Sequence, residues 1–209
     1  MGTASKATRQ SDAKHVPPFV QTGGAVLLDR DGVISQQTAF VNKPDDLVLI
    51  DGAATAIAQL NTAGWPVAVI TNQGGIAMGY LTEDILHRIH ERLEQLLTEG
   101  NAHVDAIFYC AHHEHAKRPE YKLDCRCRKP NTGMLEQARD ELGIDLHKSV
   151  VVGDRTTDIL AGIRAGCSTI LVQTGSAGKD RDIVAEPDAI VADLRAGVDL
   201  ILTSSPSKA

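Results

Sequence analysis

Asp29 and Asp31 stand two residues apart in Leu27-Leu28-Asp29-Arg30-Asp31-Gly32, directly after a short apolar run. Gly32 permits a bend there, so both carboxylates can enter one pocket. One could attack phosphorus while the other protonates the departing oxygen and later deprotonates water. Alone, the pattern equally suits a polar turn with capping aspartates. Other groups share this double character. Thr71-Asn72-Gln73-Gly74-Gly75 could hold a phosphoryl oxygen with a hydroxyl and backbone N–H groups, or be an ordinary strand-to-loop junction. Arg128-Lys129-Pro130 could neutralise a phosphate and the attacking carboxylate, or be solvated loop charge. Asp154, after Gly153, could complete a magnesium site with Asp29, because magnesium takes hard oxygen ligands; it could also cap a helix.

Cys110-Ala111-His112 and Cys125-Arg126-Cys127 offer three sulfurs and an imidazole, a set that closes a tetrahedral structural zinc site. Such a site would pin a polar loop and fix Arg128 and Lys129 beside it. His113 and His115 are further candidates for the imidazole; His112 is preferred because it alternates with Cys110. Buried or incidental cysteines are the alternative. Cys167 stands at the start of an expected strand and reads as a core thiol.

Short apolar runs alternate with helical patterns. Strands are expected at 25–28, 67–70, 104–109, 150–152, 169–172 and 189–191. Helices are expected at 52–63, at 159–165, at about 192–202 and around Leu135, Ala138 and Leu142. A long one is capped by Thr82 and carries Ile85, Ile89, Leu93 and Leu96 or Leu97 on one face. Residues 110–130 are too long and polar for a simple connection. This alternation predicts an α/β fold, a doubly wound parallel sheet with helices on both faces. Ligands then bind at the carboxyl ends of the strands. Asp29, Thr71, Cys110 and Asp154 all fall immediately past apolar runs.

The chain has 209 residues, 43% hydrophobic and 23% charged, with a formal net charge of −6. That balance suits one soluble domain, and the acidity argues against a general affinity for nucleic acid or anionic membranes. No run is apolar enough to span a bilayer, and residues 1–20 lack the apolar core of a secretory signal. The expectation is a cytoplasmic monomer: a flexible tail over 1–20, one domain over 21–203 and a loose end over 204–209.

The order Asp29-x-Asp31, Thr71, Lys129, then Gly153-Asp154 with Asp158, resembles the four motifs of the haloacid dehalogenase superfamily across about residues 24–175. Tyr109-Cys110-Ala111-His112-His113 with Cys125-Arg126-Cys127-Arg128-Lys129-Pro130 narrows the resemblance. It is similar to the subgroup holding D-glycero-D-manno-heptose 1,7-bisphosphate 7-phosphatases and histidinol-phosphate phosphatases. The resemblance implies Asp29 as nucleophile and magnesium ligand. Asp31 becomes acid/base, with its carbonyl on magnesium. Thr71 and Lys129 bind the phosphoryl group, Asp154 is the third magnesium contact, and Asp158 supports the site. It also implies zinc at Cys110, His112, Cys125 and Cys127. Asn72, Gln73, Gly74, Phe40, Arg128 and Arg155 would meet a small phosphorylated sugar. Arg155 stands where the subgroup often has lysine, and Ala39-Phe40 where it has Gly-Tyr. No insertion large enough for a cap domain separates the motifs. The resemblance implies magnesium-dependent hydrolysis of the 7-phosphate of a heptose bisphosphate through an aspartyl-phosphate, with histidinol-phosphate hydrolysis as the runner-up and a zinc-stabilised binding module without catalysis as the third alternative.

Overall fold

The computed structural model describes residues 23–37, 41–180 and 184–204. Tail residues 1–20 and the expected contact Phe40 lie outside them. Six strands form one parallel sheet: β1 (Val26–Leu28), β2 (Val67–Asn72), β3 (Ala106–Cys110), β4 (Val150–Gly153), β5 (Ser168–Val172) and β6 (Ala189–Val191). Their order is β3-β2-β1-β4-β5-β6. The chain therefore winds outward from β1 in one direction, then returns to β4 and winds outward in the other. The crevice between β1 and β4 is where such sheets bind ligands.

Among the described residues four α-helices connect strands, α1 (Ala53–Thr62), α2 (Glu83–Glu99), α3 (Gly133–Leu142) and α4 (Thr156–Ala165), and α5 (Leu194–Ser204) follows β6. Strand side chains alternate between faces. Val26, Leu28, Val67 and Val69 join one core with Ile57 of α1, Leu93 of α2 and Val198 of α5. Leu27, Ala68, Ile70 and Val151 face the other, with Met134 and Leu135 of α3 and Ala161 of α4. β1 is thus buried on both faces, so its apolar run is continuous rather than alternating. No separate cap domain occurs among the described residues.

Thr82 caps α2 as expected, its side chain accepting from Ile85 N at 3.3 Å. The buried face of α2 carries Leu86, Ile89, His90, Leu93 and Leu97, so Leu97 rather than Leu96 points inward. β2 and β3 run further than expected because Thr71 pairs with Tyr109 and Asn72 with Cys110. Thr71 and Cys110 are therefore strand residues rather than the first residues past a strand. α5 reaches Ser204, one residue into the expected C-terminal tail.

Candidate functional site

Sheet register builds the site. Leu28 pairs with Val152, and Asp29 N donates to Val152 O at 3.0 Å. The next residues on these neighbouring strands carry Asp29 and, one step later, Asp154 to the same carboxyl edge. Lys129 arrives from the loop before α3. Its Nζ donates to Asp29 Oδ1 at 2.7 Å and to Ile70 O at 2.6 Å, and lies 2.7 Å from Asp158 Oδ1. Asn72 fixes the Lys129 backbone from both sides, donating to its O and accepting from its N at 3.0 Å each. All of these groups except the half-buried Asn72 are buried.

Asp31 is held differently. Arg30, itself only 1% exposed, donates to both carboxylate oxygens at 3.1 and 2.7 Å. Ser35 Oγ and Gln73 Nε2 add hydrogen bonds at 3.1 and 3.0 Å. Gln73 Nε2 also donates to Thr71 Oγ1 at 2.8 Å. Burial would raise the Asp31 carboxyl. The Arg30 charge and these donors outweigh it, and the group ends below its ordinary value.

Asp29 and Asp154 move the other way. Burial pushes Asp29 up to about 7; Lys129 opposes this, while the charges of Asp158, Asp154 and Asp31 add to it. Burial raises Asp154 to about 6, against the hydrogen bonds from Ser176. The Ser176 N–H takes Asp154 Oδ2 at 2.6 Å, leaving Oδ1 buried and without a partner. Gly32, at φ +94°, makes this packing possible, since a Cβ there would sit 2.6 Å from Asp154 Oδ2. Gly175, at φ +58°, presses on the same carboxylate.

Oxygens of Asp29, Asp154 and Asp158 all lie within 4.8 Å of one another. Both Asp158 oxygens are engaged, one with Lys129 and the other accepting from Arg155 N at 3.0 Å. The open oxygens are therefore Asp29 Oδ2 and Asp154 Oδ1. A buried, anionic pocket with two open carboxylate oxygens fits a hard dication that keeps water or phosphate on its other positions.

The site floors a cleft of about 870 Å³ lined by Thr71, Asn72, Gln73, Gly74, Arg128 and Arg155 among others. That volume suits a small-molecule substrate. Arg128 Nη1 donates to His112 O at 3.1 Å. Arg155 Nε lies 3.4 Å from Asp180 Oδ2, so this arginine already has an anionic neighbour.

The second cluster sits beside the cleft. Cys110, His112, Cys125 and Cys127 offer ligand atoms within 4.8 Å of one another. Cys110 Sγ lies 2.9 Å from Cys127 Sγ and 3.5 Å from Cys125 Sγ; His112 Nδ1 is 3.3 Å from Cys127 Sγ. Sulfurs sharing a tetrahedral zinc stand about 3.7 Å apart, so small adjustments would accommodate the ion. The cluster touches the cleft through the backbone: Gln73 N donates to Cys110 O at 2.7 Å. A short 3-10 turn, Pro119–Tyr121, lies within the loop. Glu83 accepts from Tyr109 and Tyr121 at 2.9 and 2.8 Å and so ties the loop to α2.

Sequence reasoning passed over the segment after β5, which supplies the Ser176 clamp on Asp154 and the Thr174 hydroxyl that donates to Gly32 O at 2.6 Å. Its position past a strand end, with Gly175 and Gly178, was the available signal. Arg30 and the cleft residues Met78, Tyr80 and Leu81 were also passed over.

A HAD-hydrolase-like family model matches residues 126–197. The D-glycero-D-manno-heptose-1,7-bisphosphate 7-phosphatase of Thermosynechococcus vestitus is 41% identical over 190 residues, 86% of this chain and 95% of the relative. The D-glycero-beta-D-manno-heptose-1,7-bisphosphate 7-phosphatase of Haemophilus influenzae is 43% identical over 152 residues, 72% of this chain and 82% of the relative. Among solved structures, the D,D-heptose 1,7-bisphosphate phosphatase of B. bronchiseptica, complexed with magnesium and phosphate, aligns with a TM-score of 0.78. It is 35% identical, over 86% of this chain and 98% of that one. The corresponding enzyme of Burkholderia thailandensis aligns with a TM-score of 0.65 and 30% identity, over 86% and 99%.

Proposed function

The chain belongs to the haloacid dehalogenase-like hydrolases, in the subgroup of the heptose 1,7-bisphosphate 7-phosphatases, and is a phosphoric monoester hydrolase; we propose that it removes the 7-phosphate of D-glycero-D-manno-heptose 1,7-bisphosphate. The observation that carries this reading is the Asp29–Lys129–Asp158 arrangement at the floor of a cleft bordered by arginines.

Asp29 attacks phosphorus in line, and the bond from phosphorus to the sugar oxygen breaks. Arg30 holds Asp31 as a carboxylate in the free site, so Asp31 takes up a proton as the dianionic phosphate binds beside it and then gives that proton to the departing alkoxide. It then takes a proton from water, which attacks the aspartyl-phosphate at phosphorus, releases inorganic phosphate and restores Asp29. Lys129 and Thr71 hold the transferring phosphoryl group, and Asp158 keeps Lys129 in place. Gly74 offers its backbone N–H beside them, while Asn72 orients Lys129 and Gln73 orients Asp31 and Thr71 at the substrate's edge. Magnesium, held by Asp29, Asp154 and the Asp31 carbonyl, would offset the repulsion between carboxylate and phosphate. Zinc at Cys110, His112, Cys125 and Cys127 would be structural and would fix Arg128 and Lys129. The single phosphatase domain is proposed to work as a cytoplasmic monomer. No helix among the described residues is long and apolar enough to cross a membrane.

A bisphosphate has a reacting end and a remote end, and binding energy at the remote end aligns the reacting one. Arg128 is the stronger candidate for the remote phosphate, because Arg155 is engaged by Asp180. Steady-state kinetics test this. Efficiency on heptose 1,7-bisphosphate should exceed that on heptose 7-phosphate by about tenfold or more, and Arg128→Ala should shrink the gap. Equal efficiency on the two sugars, or faster turnover of histidinol phosphate, would defeat the heptose reading and leave the phosphatase standing.

A further inference from the structure

Three histidines, His112, His113 and His115, competed for one position in the Cys/His cluster, and His112 stands there. His113 goes elsewhere. Its side chain lines the cleft together with Asp29, Thr71 and Arg128. The ring lies over Gly74: a Cβ at position 74 would sit 3.1 Å from His113 Cδ2 and 3.4 Å from Arg128 Nη1. The missing side chain at Gly74 thus lets imidazole and guanidinium approach the backbone side by side.

The main-chain N–H of His115 donates to His113 Nδ1 at 3.0 Å. A ring nitrogen that accepts a hydrogen bond carries no proton, so the neutral ring has its hydrogen on Nε2. Nε2 adjoins Cδ2, the atom that faces Gly74, and no described residue accepts from it. A half-buried donor of fixed tautomer therefore stands on the cleft wall with no protein partner. Such a donor, left unpaired in a closed complex, would be costly; an oxygen on the substrate satisfies it. The phosphate oxygens already have Lys129 and Arg128 within the same cleft. A neutral, single donor is better matched to a hydroxyl.

We propose that His113 is a specificity-determining residue whose Nε2–H donates to a hydroxyl oxygen on the carbon chain of the sugar phosphate held at Asp29 and Lys129. This rests on the sugar-phosphatase reading above. The competing role for the ring is that of a spacer packed on Gly74, and a substitution that keeps a ring but removes the nitrogens separates the two.

The experiment compares wild type, His113→Phe and His113→Gln by kcat/KM on heptose 1,7-bisphosphate and on p-nitrophenyl phosphate, whose leaving group has no hydroxyl chain. In His113→Phe the loss on the sugar ester exceeds the loss on p-nitrophenyl phosphate by about tenfold, the scale of one hydrogen bond to a substrate. His113→Gln, which restores a side-chain N–H, recovers part of that gap. Equal losses on the two esters, or none on either, overturn the proposal and leave His113 a spacer. A wild-type preference for the sugar ester that His113→Phe keeps intact also defeats this proposal alone. A wild type with no such preference defeats the sugar-phosphatase reading, and this proposal with it.

Discussion

Two clusters of ionisable donors flank one cleft, and they are assembled in opposite ways. The carboxylate site gathers Asp29, Lys129, Asp154 and Asp158 from distant parts of the chain. The paired ends of β1 and β4, on a sheet buried on both faces, bring them together. The Cys/His cluster takes its donors from residues 110–127. Only Cys110 belongs to a strand, and the loop beyond it exposes Leu123 rather than burying it. Charges collected by a core can be altered singly while the frame persists. Donors that hold their own loop cannot.

The sharpest test of this contrast is Asp29→Asn. Size and packing are kept while the nucleophile is lost, so turnover should fall by about 10⁴-fold or more with little change in melting temperature. Near-normal turnover by the purified variant would end the covalent mechanism; loss of folding would erase the contrast. Asp31→Asn should cost about 10²–10⁴-fold in kcat, because one group serves both half-reactions.

Cys125→Ser should reverse the pattern. Metal analysis of wild type should find about one zinc per chain. The variant should lose zinc and melt several degrees lower. Activity should drop by about tenfold or more, through the Cys110–Gln73 and His112–Arg128 contacts rather than through any reacting atom. Full zinc occupancy in the variant would remove Cys125 from the ligand set.

The smallest effect concerns pH. Asp29 and Asp154 stand at about 7 and about 6 in the folded chain, above the ordinary aspartate value of 3.8. The folded state therefore binds protons more tightly than the unfolded one. The stability these groups contribute is complete below about pH 4 and is lost as pH rises through about 6 to 7. Magnesium should replace those protons. Its addition should raise the melting temperature by a few degrees at about pH 8 and by less at about pH 5. An equal rise at both would place the ion away from these carboxylates.

The layers of the fold were legible because short runs that are apolar throughout, such as Val26-Leu27-Leu28, alternate with helical patterns, as in a parallel sheet covered on both sides. The placing of Asp29 and Asp154 just past the ends of β1 and β4 followed from the same reasoning. Strand lengths were less legible: Thr71 and Asn72 are polar and look like loop, yet pairing with Tyr109 and Cys110 keeps them in β2. Within the site, motif spacing carried Asp29, Lys129 and Asp154. The partners that orient them were hidden, because they act through backbone groups or across the sheet. Ser176 uses its main-chain N–H, which no residue type announces. Arg30 looks like any charged loop residue until burial makes Asp31 its partner.

The closeness of the three sulfurs has a chemical consequence of its own. With zinc bound, each is a ligand and is shielded from oxidants. Cys110 Sγ and Cys127 Sγ lie 2.9 Å apart, so loss of a shared ion would leave two thiols that a small movement joins in a disulfide of about 2.05 Å. A chelator followed by air should then trap the loop in an oxidised form that zinc alone does not restore. Zinc given together with a thiol reductant should restore it. The ion would thus keep the loop's thiols reduced as well as shape it, and loss of activity in storage would begin as a redox event.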